Sequence, residues 1–188
     1  MRQVDTSVFV VLASLLFTCS ADAASINLAT NGTATASSTW LPSMSPDKAI
    51  DGDNNTGWNS GNVPWFSPQW IEIDLGQAST INQITGFVDQ WPSGYTKHNI
   101  YLDGIFNFTW EGDTAYSSLL SYIFQSPVTA QKVKIETTIS PSWVGWKEFQ
   151  ILQELPSVPT SVPEPLGFFG ISAVAGLSLM LKRRQMQH

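Results

Sequence analysis

Cysteine is almost missing from this chain. Cys19 is the only one in 188 residues, so no intrachain disulfide can form, and stability must come from a packed core or a bound ion. Between residues 24 and 161 there is no arginine, and five lysines face twelve carboxylates, a balance of seven negative charges. Nucleic acid is excluded as a partner, because its phosphates need a basic surface, and anionic lipid headgroups are disfavoured on the same ground. That stretch has one histidine, His98, and lacks a Gly-x-Ser-x-Gly elbow, a His-Glu-x-x-His helix and a glycine-rich phosphate loop. Asp89, Asp103, Glu111 and Asp113 are the loose candidates for a carboxylate pair. Unpartnered surface acids explain them as well, and a non-enzymatic protein is expected.

The two ends are distinct from the middle. Arg2, the apolar residues 8–17 and Ala21-Asp22-Ala23 form a signal-peptide pattern, which assigns residues 1–23 to a secretory leader. Cys19 as a lipoprotein acylation site is disfavoured by Thr18 before it. Residues 156–165 are a Pro/Ser linker ending in Pro163-Glu164-Pro165. The apolar residues 166–181 fall short of the roughly 20 of a comfortable membrane span, and a basic tail of residues 182–188 follows with Lys182, Arg183 and Arg184. This order resembles the PEP-CTERM sorting signal of Gram-negative bacteria. The resemblance implies export across the inner membrane and transient anchoring there by a transmembrane helix. An exosortase would then process the tail, with delivery to the cell surface or extracellular matrix.

The middle, residues 24–155, is one domain by length. Residues 69–75 alternate apolar and polar side chains, as a half-buried strand does, and residues 81–88, 98–102, 132–137 and 148–152 repeat the signal. Residues 33–39 add a Thr/Ala/Ser-rich strand. No sustained helical period is present. The expected fold is an all-β antiparallel β-sandwich, flanked by the signal helix and the transmembrane helix.

Lys48-Ala-Ile-Asp-Gly-Asp-Asn-Asn-Thr-Gly-Trp58 packs hard oxygen ligands onto a sharply turning segment, as Ca²⁺ requires. An EF-hand does not fit: Thr56 stands where that loop needs glycine, and Asn62 where it needs glutamate. Plain turn formation explains Asp51-Gly52 and Asn54-Asn55 equally well. Asn27-Leu28-Ala29, Ala34-Thr-Ala-Ser-Ser38, the Lys48–Trp58 segment, Gln69-Trp-Ile-Glu-Ile-Asp-Leu-Gly76 and Lys147-Glu-Phe-Gln-Ile-Leu152 resemble, in order, the discoidin or coagulation factor 5/8 type C family. That family includes family 32 carbohydrate-binding modules and has the galactose-binding-like jelly roll. The resemblance implies a structural Ca²⁺. Its ligands would be the side chains of Asp51, Thr56 and Glu148 with the carbonyls of Lys48, Asp53, Thr56 and Lys147.

All eight tryptophans lie in the domain. Trp58, Trp70 and Trp146 fall in or beside expected strands and suit the core; Trp110 fits either role. Trp40, Trp65, Trp91 and Trp143 fall in turn-rich stretches, where exposed indoles stack on sugar rings, with Tyr95 close by. They are the expected ligand residues. The sugar-binding relatives often use an arginine and a histidine, and this domain has no arginine and only His98. The expected function is non-catalytic binding to carbohydrate or exopolysaccharide at the cell surface or in a biofilm matrix; the alternative is protein–protein adhesion or a structural matrix role without a glycan.

Overall fold

The computed structural model describes residues 24–65 and 67–156. The expected signal helix, transmembrane helix, linker and basic tail lie outside those residues. Among the described residues no helix is long and apolar enough to cross a membrane.

Eight strands make up the domain: β1 Ser25–Asn27, β2 Thr33–Ala36, β3 Trp58–Asn59, β4 Gln69–Val88, β5 Gly94–Leu102, β6 Ile105–Thr114, β7 Leu119–Ile139 and β8 Gly145–Glu154. Short 3₁₀ turns at Ala29–Asn31, Pro42–Met44 and Pro46–Ala49 are the described helical elements. Every strand pairing is antiparallel, in the order β1-β8-β4-β7-β5-β6, with β2 beside β4 and β3 beside β8.

The two longest strands build the sandwich. The start of β4 pairs with β2 and with the end of β7, whereas residues 83–87 pair with the start of β7 and residues 83–88 with β8. The register breaks between Asp74 and Ser79, where Gly76 adopts φ +79°. A bulge of this kind bends a strand and lets it pass from one sheet to the other. The layers meet through aromatic rings. Phe108 of β6 stacks on Tyr122 of β7 with centroids 3.8 Å apart, and His98 of β5 sits edge-on to Trp146 of β8 at 4.7 Å.

Trp58, Trp146, Phe149, Ile71, Ile73, Ile84 and Ile135 are fully buried in this core. Truncating an aromatic ring there to alanine costs about 3–5 kcal/mol. Gly86 exists for this packing, since a Cβ on it would lie 2.7 Å from Phe149 and 2.8 Å from Trp146. His98 is buried with them. Its Nδ1 pairs with Thr137 Oγ1 at 2.8 Å, and burial pulls its pKa down to about 3. It is therefore neutral and takes no part in surface recognition.

Two features differ from the sequence expectation, and one reading left open is decided. Trp70 is half-buried on the outer side of β4, not in the core, with Lys134 Nζ 5.1 Å above its ring. Trp110 belongs to the core. The strand β6 and the first half of β7 were not expected at all.

Candidate functional site: an oxygen cage and a tryptophan face

The Lys48–Trp58 segment leaves the Pro46–Ala49 turn and reverses at Gly52, where φ is +83°. The reversal folds its oxygens inward. Thr56 Oγ1 lies 3.2 Å from the Lys48 carbonyl, 2.9 and 3.0 Å from the two Asp51 carboxylate oxygens, and 3.0 Å from the Asp53 carbonyl. One hydroxyl proton can satisfy one of these four acceptors, so the cage is rich in oxygen and short of hydrogen. The Asp53 side chain is spent locally, accepting both the backbone and the side-chain N–H of Asn55. Its carbonyl is what it offers the cage.

Glu148 approaches from β8. It is 2% exposed; Oε1 accepts the Gly52 N–H at 3.2 Å, and Oε2 is buried without a partner. Burial, joined by the charges of Asp51 and Asp53, pushes its pKa up to about 7 against the opposing Gly52 hydrogen bond. Asp51 responds differently. Burial would raise it, but hydrogen bonds from the Asp53 N–H and Thr56, together with Lys48, hold it below the ordinary carboxylate value. β8 meets the same loop at Trp146 and Lys147. A Cβ on Gly57 would lie 2.7 Å from the Trp146 carbonyl and 2.9 Å from Lys147 Cα, so the two chain segments touch.

Among the described residues no three carboxylate, imidazole or thiolate groups gather into a metal cluster. The donor set here is two carboxylates among neutral oxygens. It suits a hard cation that accepts carbonyl and hydroxyl ligands, and the orphaned Glu148 Oε2 is the group such an ion would satisfy.

Beside the cage lies a cleft of about 370 Å³ lined by Asn55, Thr56, Asp89, Tyr116 and Lys147 among others. Lys147 Nζ stands 4.0 Å over the Tyr116 ring, and burial raises the Asp89 pKa, partly offset by Lys147. Tyr116 carried no signal in the sequence, because it sits in a turn whose neighbours are set by the fold. Of the acids considered for catalysis, Asp103 accepts the backbone N–H groups of Gln131 and Lys132, and Glu111 pairs with Lys97 at 3.2 Å. Both are occupied in holding strands together.

The four loop tryptophans point outward: Trp65 is 69% exposed, Trp91 68%, Trp40 59% and Trp143 38%. One segment, residues 140–143, joins their loops. The Ser140 carbonyl accepts the Trp65 indole N–H at 3.3 Å. The Pro141 ring packs on Gly94, which opens β5 directly after the loop that carries Trp91. Trp143 shares a cleft of about 250 Å³ with Trp40, Asn59 and Gly61. Trp40 is seated on Gly61, whose φ is +67° and whose missing side chain leaves room for the indole. Tyr95 is not brought to this cleft. It lies on the outer side of β5, with its hydroxyl donating to Glu111.

Residues 33–155 match the model of the F5/8 type C domain, and the chain belongs to that family. No curated protein matches it. Among solved structures it is similar to chitosan-binding module 1 of a chitosanase/glucanase from Paenibacillus sp. IK-5, at 26% identity and TM-score 0.52, covering 68% of this chain and 98% of that one. It is similar to the family 32 carbohydrate-binding module of C. perfringens NanJ, solved with galactose, at 22% identity and TM-score 0.57, covering 69% and 100%. A third is the family 32 module of AlyQ in complex with 4,5-unsaturated mannuronic acid, at 26% identity and TM-score 0.50, covering 63% and 92%. The fold is thus that of the family 32 carbohydrate-binding modules.

Proposed function

We propose that the chain is a non-catalytic carbohydrate-binding module whose tryptophan face meets a polysaccharide and whose oxygen cage holds a structural Ca²⁺. The observation that carries this reading is the set of four exposed indoles fixed on adjoining loops of one rigid sandwich. A sugar ring presents an apolar C–H face that stacks on an indole, and hydroxyls that bond to loop amides such as that of Asn59. The structural likeness to a module named for chitosan binding and to one solved with 4,5-unsaturated mannuronic acid supports a carbohydrate ligand.

The cation would be held by Asp51, Thr56, Glu148 and the carbonyls of Lys48, Asp53, Thr56 and Lys147. It would supply charge neutralisation, not reactivity. Joining residue 51 to residue 148 closes a long loop and restricts the unfolded chain. The ends of the sequence support a surface location: leader, export, the Pro163-Glu164-Pro165 signal, and release by an exosortase-type enzyme into the outer envelope or matrix of a Gram-negative bacterium.

A glycan array probed with the full chain tests the reading. Retention on at least one polysaccharide, abolished by Trp40→Ala with Trp143→Ala, is the expected result. No retention on any glycan, with a matrix protein co-purifying instead, leaves the adhesion alternative in its place.

A further inference from the structure

The tryptophan face is larger than one sugar needs. The cleft between Trp40 and Trp143 measures about 250 Å³, below the roughly 300 Å³ at which small-ligand pockets begin. It has room for about one ring. Trp65 and Trp91 lie outside its lining and keep two-thirds of their surface in water. Indoles left bare in this way, on loops held by the 140–143 segment, form an apolar surface of the kind that marks an interaction site. A single terminal sugar in the cleft would leave both uncovered. A chain of sugars running on from the cleft would cover them.

Charge narrows the chain's chemistry. Residues 37–46, 59–71, 90–96 and 138–146, which carry all four indoles, contain no charged side chain, in a domain with seven more acids than bases. The flanking cation, Lys147, is held over Tyr116 beside Asp89. These stretches therefore offer no partner to a uronate or sulfate, and the domain's field repels both. They likewise hold no carboxylate for the ammonium of an amino sugar; the acids on the same connections, Asp47, Asp51, Asp53 and Asp89, lie outside these stretches, and Asp89 lines the cleft with Tyr116 and Lys147.

We propose that this face binds an internal stretch of an uncharged polysaccharide, several units at a time, by stacking. The proposal rests on the carbohydrate reading above and adds chain length and charge to it.

Calorimetry on the full chain tests it, with neutral gluco-, galacto- and manno-oligosaccharides of one to six units beside alginate and chitosan oligomers, at about 20 and about 500 mM salt. Affinity for one neutral series is expected to rise at least roughly tenfold between one unit and six, and to be indifferent to salt. Trp91→Ala is expected to lower hexamer affinity and leave monomer affinity alone. A monosaccharide bound as tightly as the hexamer, or salt-sensitive preference for alginate or chitosan, overturns the proposal while the carbohydrate reading stands. Absence of binding by every oligosaccharide, charged or neutral, overturns both.

Discussion

Glu148 Oε1 accepts the backbone N–H of Gly52 at 3.2 Å, a bond between residues 96 positions apart. It ties the last strand to the oxygen cage, and it leaves the second oxygen of a buried carboxylate unpaired. Two consequences of opposite sign follow. With Ca²⁺ at about a hundred times its dissociation constant, the protein is expected to gain about 2.7 kcal/mol, seen as a rise of several degrees in melting temperature over the chelated protein. Glu148→Gln is expected to abolish that rise and, in chelator, to raise the melting temperature, because the amide keeps the acceptor and removes the charge. Asp51→Ala is expected to abolish the rise without the second effect. Equal responses of wild type and both variants to Ca²⁺ would rule the cage out as its site.

The same carboxyl sets a pH dependence. Its folded pKa is about 7 against an ordinary 4.5, so between those values the folded protein keeps a proton that the unfolded chain has released. This contribution to metal-free stability is therefore full below about pH 4.5 and is lost as pH rises from there through 7, by about 3 kcal/mol. His98 has the opposite sense. Its folded value of about 3 lies below the ordinary 6.5, so stability is full above pH 6.5 and is lost as pH falls toward 3. Urea midpoints in chelator should rise from about pH 3 to 4.5, stay level to about 6.5 where the two effects cancel, and dip toward 7; Glu148→Gln should remove the dip and extend the rise to about pH 6.5.

Tryptophan substitutions should divide by location. Trp146→Ala, deep in the core, is expected to cost about 3–5 kcal/mol. Trp40→Ala and Trp91→Ala, on the surface, should change stability by less than about 0.5 kcal/mol and reduce affinity for a hexasaccharide by roughly tenfold each. Denaturant curves and calorimetry on the same preparations check both halves.

Gly57→Ala tests the contact between the cage and β8. The new methyl would meet the Trp146 carbonyl at 2.7 Å, and that atom belongs to a paired strand. A loss of about 1–3 kcal/mol and weakened calcium response are expected. Gly104→Ala, where no atom lies within 4 Å but φ is +79°, isolates the backbone cost, so its calcium response should be unchanged.

The parts of the fold that alternate cleanly were legible in the sequence. Ile71 and Ile73 face inward between Trp70, Glu72 and Asp74, and that alternation announces the first half of β4. The first half of β7 gave no such signal, because Leu120 and Phe124 face the core while Leu119 and Ile123 are exposed on the other side. Apolar residues on both faces erase a period of two. Trp70 was misplaced for a related reason: an indole in a strand suits the core by hydrophobicity, yet its register with the buried Ile71 puts it on the outer face. The cage was legible only in part. Its loop half is contiguous in sequence, whereas Glu148 enters through strand pairing, so the family resemblance names it and no local pattern does. The adjoining of four tryptophan loops depends on the 140–143 segment touching three others, which no local pattern records.

Affinity electrophoresis in the source organism's own exopolysaccharide, comparing the full chain with a Trp40→Ala/Trp65→Ala/Trp91→Ala/Trp143→Ala variant of unchanged melting temperature, is the most direct measurement of glycan binding by the tryptophan face. Retardation of the wild type and free migration of the variant is the expected result. Equal mobility of the two, whether both are retarded or neither is, would contradict it.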